Sequence, residues 1–295
     1  MTGPTLLIPL DGSQLAERAL PVADSLLQGR GGGRMLIFRA LETPRMSAWL
    51  PAEMLDIYEQ EREIVDEYLE KQLQEWSGRG YKVEVVRSQG PGPLPEVIKE
   101  CENHAVQLIV MSSHGQSGWM ESFLGSNTEK ILRLSNVPVL VVRTQHESKA
   151  GGNRILIPLD GSKRAEGALT QAIDLAPGGS AKITLIGVSV VFQGHAFEGD
   201  MRTTVEPDLK KINDYLDKQS EWLSNQGYEV DIVVRRGNPA EEILQFAEEN
   251  ETDLILMTTQ GRTGLASWLY GSVAERVLRK SKCSVLVLKD QPQKG

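Results

Sequence analysis

The chain carries the same six residues twice: Ile8-Pro9-Leu10-Asp11-Gly12-Ser13 reappears unchanged as Ile157-Pro158-Leu159-Asp160-Gly161-Ser162, each time after a short apolar run. A second correspondence follows in each half. Ser112-Ser113-His114-Gly115 through Gly125-Ser126 answers Thr258-Thr259-Gln260-Gly261 through Gly271-Ser272, with the same spacing from Gly to Gly-Ser. A period of about 147 residues is the size of a whole domain, so the chain reads as one domain duplicated head to tail. With 295 residues, 40% of them hydrophobic, there is enough apolar surface for two cores. The polar, glycine-ended stretch from Thr144 to Gly152 has the composition of an exposed linker. The expected domains are residues 1–147 and 153–295.

Within each half, short apolar runs alternate with longer amphipathic stretches, the pattern of βα units on a mainly parallel sheet. In the first half the expected strands are Leu6 to Leu10, Met35 to Ala40, Val83 to Arg87, Gln107 to Ser112 and Val139 to Val142. The expected helices are Gln14 to Leu27, Glu53 to Trp76, Pro95 to Asn103 and Ser126 to Leu134. The second half repeats the order, with strands at Ile155 to Leu159, Ile183 to Ser189, Glu229 to Arg235, Leu254 to Thr258 and Ser284 to Leu288. Right-handed crossovers then give an α/β fold: two tandem doubly wound domains, each with a five-stranded parallel sheet in the order 3-2-1-4-5, flanked by helices. The charged amphipathic stretches Glu53 to Trp76 and Pro207 to Trp222 are expected to cover the sheets with one face and meet water with the other. Trp49 and Phe192 read as satellite core or as loops near the site.

Composition removes several classes of function. The 32 basic and 40 acidic side chains give a formal charge of -8, and the basic ones are scattered, so no nucleic-acid partner is expected. Cys101 and Cys283 have no metal-ligand or CxxC spacing and read as half-buried thiols. The first residues lack a basic region followed by a long apolar core, and no apolar run reaches the length of a membrane span. The expected location is therefore cytoplasmic, with no membrane partner. No metal-binding set and no catalytic residue is assigned.

Ligands of doubly wound sheets sit beyond the carboxyl ends of the strands, where the winding reverses. Both repeated motifs fall there, on the loops after the first and fourth strands. Asp11 and Asp160 are candidates to accept hydrogen bonds from an adenine amino group or a ribose. The alternative is that Asp11 and Ser13 only cap the following helix. The loop from Ser112 to Gly118 is small, polar and glycine-bearing, and Gly125-Ser126 opens a helix whose amides could face the same place, which together describe a phosphate cradle. Against it stands a structural reading, since Ser126-x-x-Glu129 and Ser272-x-x-Glu275 both have the form of capping boxes. His114 is equally a ligand contact or a loop histidine bonded to backbone. A Walker A sequence is absent, and Gly29-Arg30-Gly31-Gly32-Gly33 follows a helix rather than a first strand, so it reads as a flexible loop.

The Asp-Gly-Ser after strand one, with a Gly, nine residues and Gly-Ser after strand four, resembles the universal stress protein family, twice over nearly the whole chain. ATP-binding members carry Gly-x-x-Gly, nine residues, then Gly and Ser or Thr. Gly115, Gly125 and Ser126 match, as do Gly261, Gly271 and Ser272, while Ser112 and Thr258 replace the first glycine. The resemblance implies that Pro9, Asp11 and Ala40, with Pro158, Asp160 and Val188, contact the adenosine. It implies that Ser112, His114, Gly115, Gly125 and Ser126, with Thr258, Gly261, Gly271 and Ser272, lie at the phosphates. It also implies that Val139 to Val142 and Val285 to Leu288 pair within the chain, hiding two sheet edges, and that a homodimer of the tandem chain is a further assembly.

The function expected from this resemblance is a stress-response protein that binds ATP, or ADP or AMP, as a regulatory or structural ligand, with Mg²⁺ accompanying the nucleotide. Two other readings stand beside it: a weak ATPase or autophosphorylating protein, and a ligand-free interaction scaffold in which the altered glycines close the sites.

Overall fold

In the computed structural model, which describes residues 3–42, 52–90, 92–113, 124–143, 153–175, 181–190, 202–258 and 271–288, the apolar runs form parallel strands. The chain divides into two compact units, Met1–Ala150 and Gly151–Gly295. The first unit runs β1 (Thr5–Pro9), α1 (Gln14–Glu17), α2 (Ala19–Gly29), β2 (Arg34–Glu42), α3 (Ala52–Trp76), β3 (Lys82–Gly90), α4 (Pro93–Asn103), β4 (Leu108–Ser112), α5 (Ser126–Leu134) and β5 (Val139–Val142). The second runs β6 (Arg154–Pro158), α6 (Lys163–Leu175), β7 (Lys182–Ser189), α7 (Arg202–Ser224), β8 (Glu229–Arg236), α8 (Pro239–Glu249), β9 (Leu254–Thr258), α9 (Ser272–Lys280) and β10 (Ser284–Leu288).

Each unit has the expected strand order, β3-β2-β1-β4-β5 in the first and β8-β7-β6-β9-β10 in the second. β1 pairs with β2 from Thr5↔Arg34 to Pro9↔Phe38 and with β4 through Leu6↔Leu108 and Leu7↔Ile109. A strand with parallel neighbours on both sides and helices over both faces must be apolar throughout. Leu6, Leu7 and Ile8 are accordingly buried, as is all of β4.

The helix expected from Gln14 to Leu27 is instead two helices that meet at Arg18. Pro21 has no N–H to give to the carbonyl of Glu17, so the ladder cannot run through this point. The corresponding α6 contains no proline and is unbroken over 13 residues. On α3, Val65, Leu69, Gln72 and Trp76 are buried at helical spacing, while Ile57 and Ile64 face water, so the amphipathic reading of that helix holds.

The glycine run after α2 is not a loose connection. The Gly31 N–H donates to the Gln28 carbonyl at 3.1 Å and the Gly32 N–H to the Leu27 carbonyl at 3.0 Å, which closes the helix end tightly. Gly33, at φ +143°, packs so closely that a Cβ there would lie 2.5 Å from the Pro4 carbonyl oxygen and 2.6 Å from Leu27 Cδ2. Nor are the thiols half-buried. Cys101 and Cys283 are both buried, and burial, reinforced by the charges of Glu100 and Glu102, pushes the Cys101 thiol up to about 12. Among the described residues no helix is long and apolar enough to cross a membrane.

Gly33→Ala tests the closure. It should destabilise the chain by about 2 kcal/mol or more, because backbone rather than a flexible side chain blocks the new methyl group. The midpoint of urea denaturation reads this directly.

Candidate functional site

β1 lies between β2 and β4, where the winding of the sheet reverses, and at its carboxyl end the chain turns on the Asp-Gly-Ser sequence. The Asp11 carboxylate Oδ1 accepts from the Ser13 N–H at 2.9 Å and from the Ser13 hydroxyl at 2.6 Å. Ser13 Oγ in turn accepts from the Ala16 N–H at 3.1 Å, making Ser13 the N-cap of α1. Gly12 supplies the left-handed turn at φ +84°. The second unit repeats the construction, with Asp160 Oδ1 accepting from the Ser162 N–H at 2.9 Å, Ser162 Oγ from the Ala165 N–H at 3.2 Å, and Gly161 at φ +80°. The capping reading of these motifs is therefore real in both domains.

At the end of β4 the reverse holds. α5 begins at Ser126, but its N-cap is Gly125, whose carbonyl accepts from the Glu129 N–H at 2.9 Å, and no side chain caps it. α9 starts the same way, with Gly271 as N-cap and the Glu275 N–H at 3.0 Å from its carbonyl. The capping boxes expected at Ser126 and Ser272 do not form. Each serine sits one position inside the helix, from which its hydroxyl does not serve as the N-cap acceptor. The start of α5 is held over the strand end by the Gly125 N–H to the Ser113 carbonyl at 2.9 Å and by the buried Thr128 hydroxyl to the Ser112 carbonyl at 3.3 Å.

A pocket of about 350 Å³ opens between these elements in the first unit, and Pro9, Asp11, Ala40, Ser112, Gly125 and Ser126 all line it. Phe38, Val97, Met111 and Ile131 give it apolar surface beside these polar groups. The second unit has a counterpart of about 400 Å³, lined by Pro158, Asp160, Val188, Thr258, Gly271 and Ser272. Both volumes fall in the range of small-molecule sites. His114, Gly115 and Gly261 lie outside the described residues, as do Trp49 and Phe192. A wider hollow of about 480 Å³ beside α7 and β8 contains none of the repeated motif residues.

Several lining residues were not singled out in the sequence. Arg39 is in the first pocket, its guanidinium 4.7 Å from the centre of the Tyr68 ring. The Tyr68 hydroxyl donates to Glu17 at 2.9 Å, and burial first, then that hydrogen bond, holds its pKa well above the usual phenol value. Lys211, Ile212 and Tyr215 of α7 line the second pocket. These positions carry no repeated motif, so the comparison of the two halves by identical residues passes over them. Among the described residues no cluster of His, Cys, Asp and Glu could hold a metal ion.

A fold with two such pockets, each between an Asp-Gly-Ser turn and an uncapped Gly-Ser helix start, defines a tandem α/β protein with a matching pocket in each repeat. The universal stress protein family matches residues 4–143 and 152–289, and the chain belongs to that family. One domain's length of the chain is 38% identical over 143 residues to universal stress protein MJ0531 of Methanocaldococcus jannaschii, covering 48% of this chain and 84% of that one. Universal stress protein YxiE of Bacillus subtilis is 28% identical over 149 residues, 46% of this chain and 99% of its own. The crystal structure of a universal stress protein from Archaeoglobus fulgidus covers 98% of this chain and 99% of that chain, at 25% identity and a TM-score of 0.73.

Ser13→Ala removes the cap of α1 and the hydroxyl's hydrogen bond to Asp11, and leaves the Ser13 N–H bond to that carboxylate in place. It should cost about 1 kcal/mol of stability, seen as a lower urea midpoint.

Proposed function

We propose that each domain binds an adenine nucleotide, ATP or a close relative, and that the bound nucleotide serves as a regulatory or structural ligand in a cytosolic stress response. The observation that carries this reading is the helix start at Gly125 and its copy at Gly271. Each directs N–H groups without a side-chain cap toward a pocket whose other rim is an Asp-Gly-Ser turn. Uncapped first-turn amides with the positive end of a helix dipole suit a phosphate, and they cost nothing further to organise. The apolar side chains that line each pocket suit a base, and the carboxylates of Asp11 and Asp160 suit hydroxyl or amino donors. Ser112 and Thr258, where the family pattern has glycine, are small enough to leave both pockets open at the volumes given above. Mg²⁺ would come with the phosphates rather than from a protein ligand set.

Pairing of the two last strands within the chain belongs to the same proposal, as does a homodimer of the tandem chain. It rests on sequence: Val139–Val142 and Ser284–Leu288 end their own sheets, and an apolar edge strand left open invites aggregation.

Two measurements test the nucleotide reading. Denaturing the purified chain and weighing what is released should recover an adenine nucleotide. Adding millimolar ATP with Mg²⁺ should raise the melting temperature, the stabilisation reaching about 2.7 kcal/mol at roughly a hundredfold excess over Kd. Absence of both a released nucleotide and a shift would leave the scaffold reading in its place. Asp11→Ala should weaken ATP at the first site about tenfold, whereas Ser13→Ala, which removes the cap and one hydrogen bond to Asp11 but keeps the carboxylate, should weaken it clearly less. Equal effects would mean that Asp11 acts through the turn alone.

A further inference from the structure

Each pocket has one cationic side chain among its lining residues, Arg39 in the first and Lys211 in the second, and the two come from different elements of the repeat. Pro9 pairs with Phe38, and Pro158 with Ile186, so Arg39 on β2 corresponds to Gly187 on β7. Gln72 donates to Glu17 at 3.3 Å and Gln219 to Glu166 at 3.4 Å, so α3 and α7 correspond as well. By that register Tyr68 matches Tyr215, and Ile64 matches Lys211.

In the first domain the charge comes from the strand. Arg39 lies over the Tyr68 ring and beside Gly12, where a Cβ would be 2.7 Å from its Nη1, so the guanidinium stands at the turn that bears Asp11. The helix position that matches Lys211 is Ile64, which is exposed and uncharged. In the second domain the strand position has no side chain. A Cβ on Gly187 would be 2.5 Å from Ile212 Cγ2, so α7 sits too close to the strand for an arginine. The charge comes instead from Lys211, one helical turn before Tyr215, and both residues line the pocket. Among the described residues neither Arg39 nor Lys211 is within ion-pairing distance of a carboxylate. Among the described residues, then, no salt bridge accounts for either charge. Duplication does not account for the coincidence either, because the two cations occupy different positions of the repeat.

We propose that Arg39 and Lys211 are the residues that make the two sites prefer a phosphorylated nucleoside over the bare nucleoside, each presenting a cation to the ligand's negative charge. This rests on the nucleotide reading above and adds to it a second source of charge selectivity, from side chains, beside that of the helix-start amides. A cation at the pocket mouth also makes binding of an anion salt-dependent, whereas a purely structural role for these side chains would leave no such signature.

The test uses the full chain and isothermal titration with ATP and with adenosine, at about 50 mM and about 300 mM NaCl, a range over which exposed charges become screened. The wild-type chain should bind ATP more tightly than adenosine, with ATP affinity falling as salt rises. The double variant Arg39→Gln/Lys211→Gln should lose about tenfold in ATP affinity, keep its adenosine affinity and lose most of the salt dependence. Each single variant should affect one of two binding steps, and Arg39→Lys should restore the first. A double variant with the wild-type ratio of ATP to adenosine affinity and the wild-type salt dependence overturns this inference while leaving the nucleotide reading intact. A wild-type chain that binds neither ligand overturns both.

Discussion

Everything in either domain follows from one central strand being paired on both sides in parallel. β1 can bond to β2 and β4 only if the chain leaves the sheet, crosses one face and returns to one side, and later crosses the other face to return to the opposite side. Helices then cover both faces, which is why Leu6, Leu7 and Ile8 and their counterparts Ile155, Leu156 and Ile157 are all buried. At the carboxyl end of that strand the two crossovers depart in opposite directions, and neither covers the place where they part. The pocket is a consequence of topology before it is a consequence of any side chain. What the side chains decide is what the opening can hold.

The two loops that border the opening are built on opposite principles. The Asp-Gly-Ser turn is closed on itself: carboxylate to serine, serine to helix amide, and a glycine at the positive φ the turn needs. Such a turn recurs for structural reasons whether or not anything binds, so its letter-for-letter repetition is weak support for a ligand. The Gly-Ser helix start has its amides without a side-chain cap, in both copies. Glycine at the N-cap forgoes only a few tenths of a kcal/mol relative to Ser or Asp, and it leaves the first-turn donors free of any side-chain cap. A pocket beside such an end therefore speaks more strongly for an anion than the more conspicuous repeat does.

Much of the fold was legible because parallel strands are apolar on both faces and so appear as solid runs: Val139–Val142, Leu254–Thr258 and Ser284–Leu288 lie where the sequence places them. The sequence pattern marks β3 only over Val83 to Arg87, because Ser88 and Gln89 are polar and break it, and the strand runs past that stretch. Backbone pairing with Ala40 and Leu41 extends the strand regardless of their side chains. The break at Arg18 was overlooked because the apolar spacing continues through it, and only the missing N–H of Pro21 reveals the interruption. The serines at 126 and 272 fit a capping box by spacing but stand one residue too far along, a difference that only backbone geometry distinguishes. Twelve of the fifteen residues named for the site from sequence line the two pockets, and the other three are His114, Gly115 and Gly261. Arg39, Lys211 and Tyr215 could not be found by comparing the halves, since a charge that changes its element of origin leaves no aligned pair.

The divergence between the copies follows the same division between backbone and side chain. Groups offered by the main chain, at the Asp-Gly-Ser turn and at the helix start, depend on dihedral angles that few residues allow, and there the two copies agree closely. Groups offered by side chains depend only on reaching a given volume, and a strand or a facing helix can each do so. Gly187 and Arg39 show how one exchange compels another. Removing the side chain from the strand lets α7 approach until Ile212 would meet a Cβ at 2.5 Å. That approach excludes a strand arginine and brings Lys211 and Tyr215 of α7 to the pocket. Charge placed by packing in this way is constrained in position and free in origin, so a site in a duplicated domain is better compared by what stands in the pocket than by which residues align.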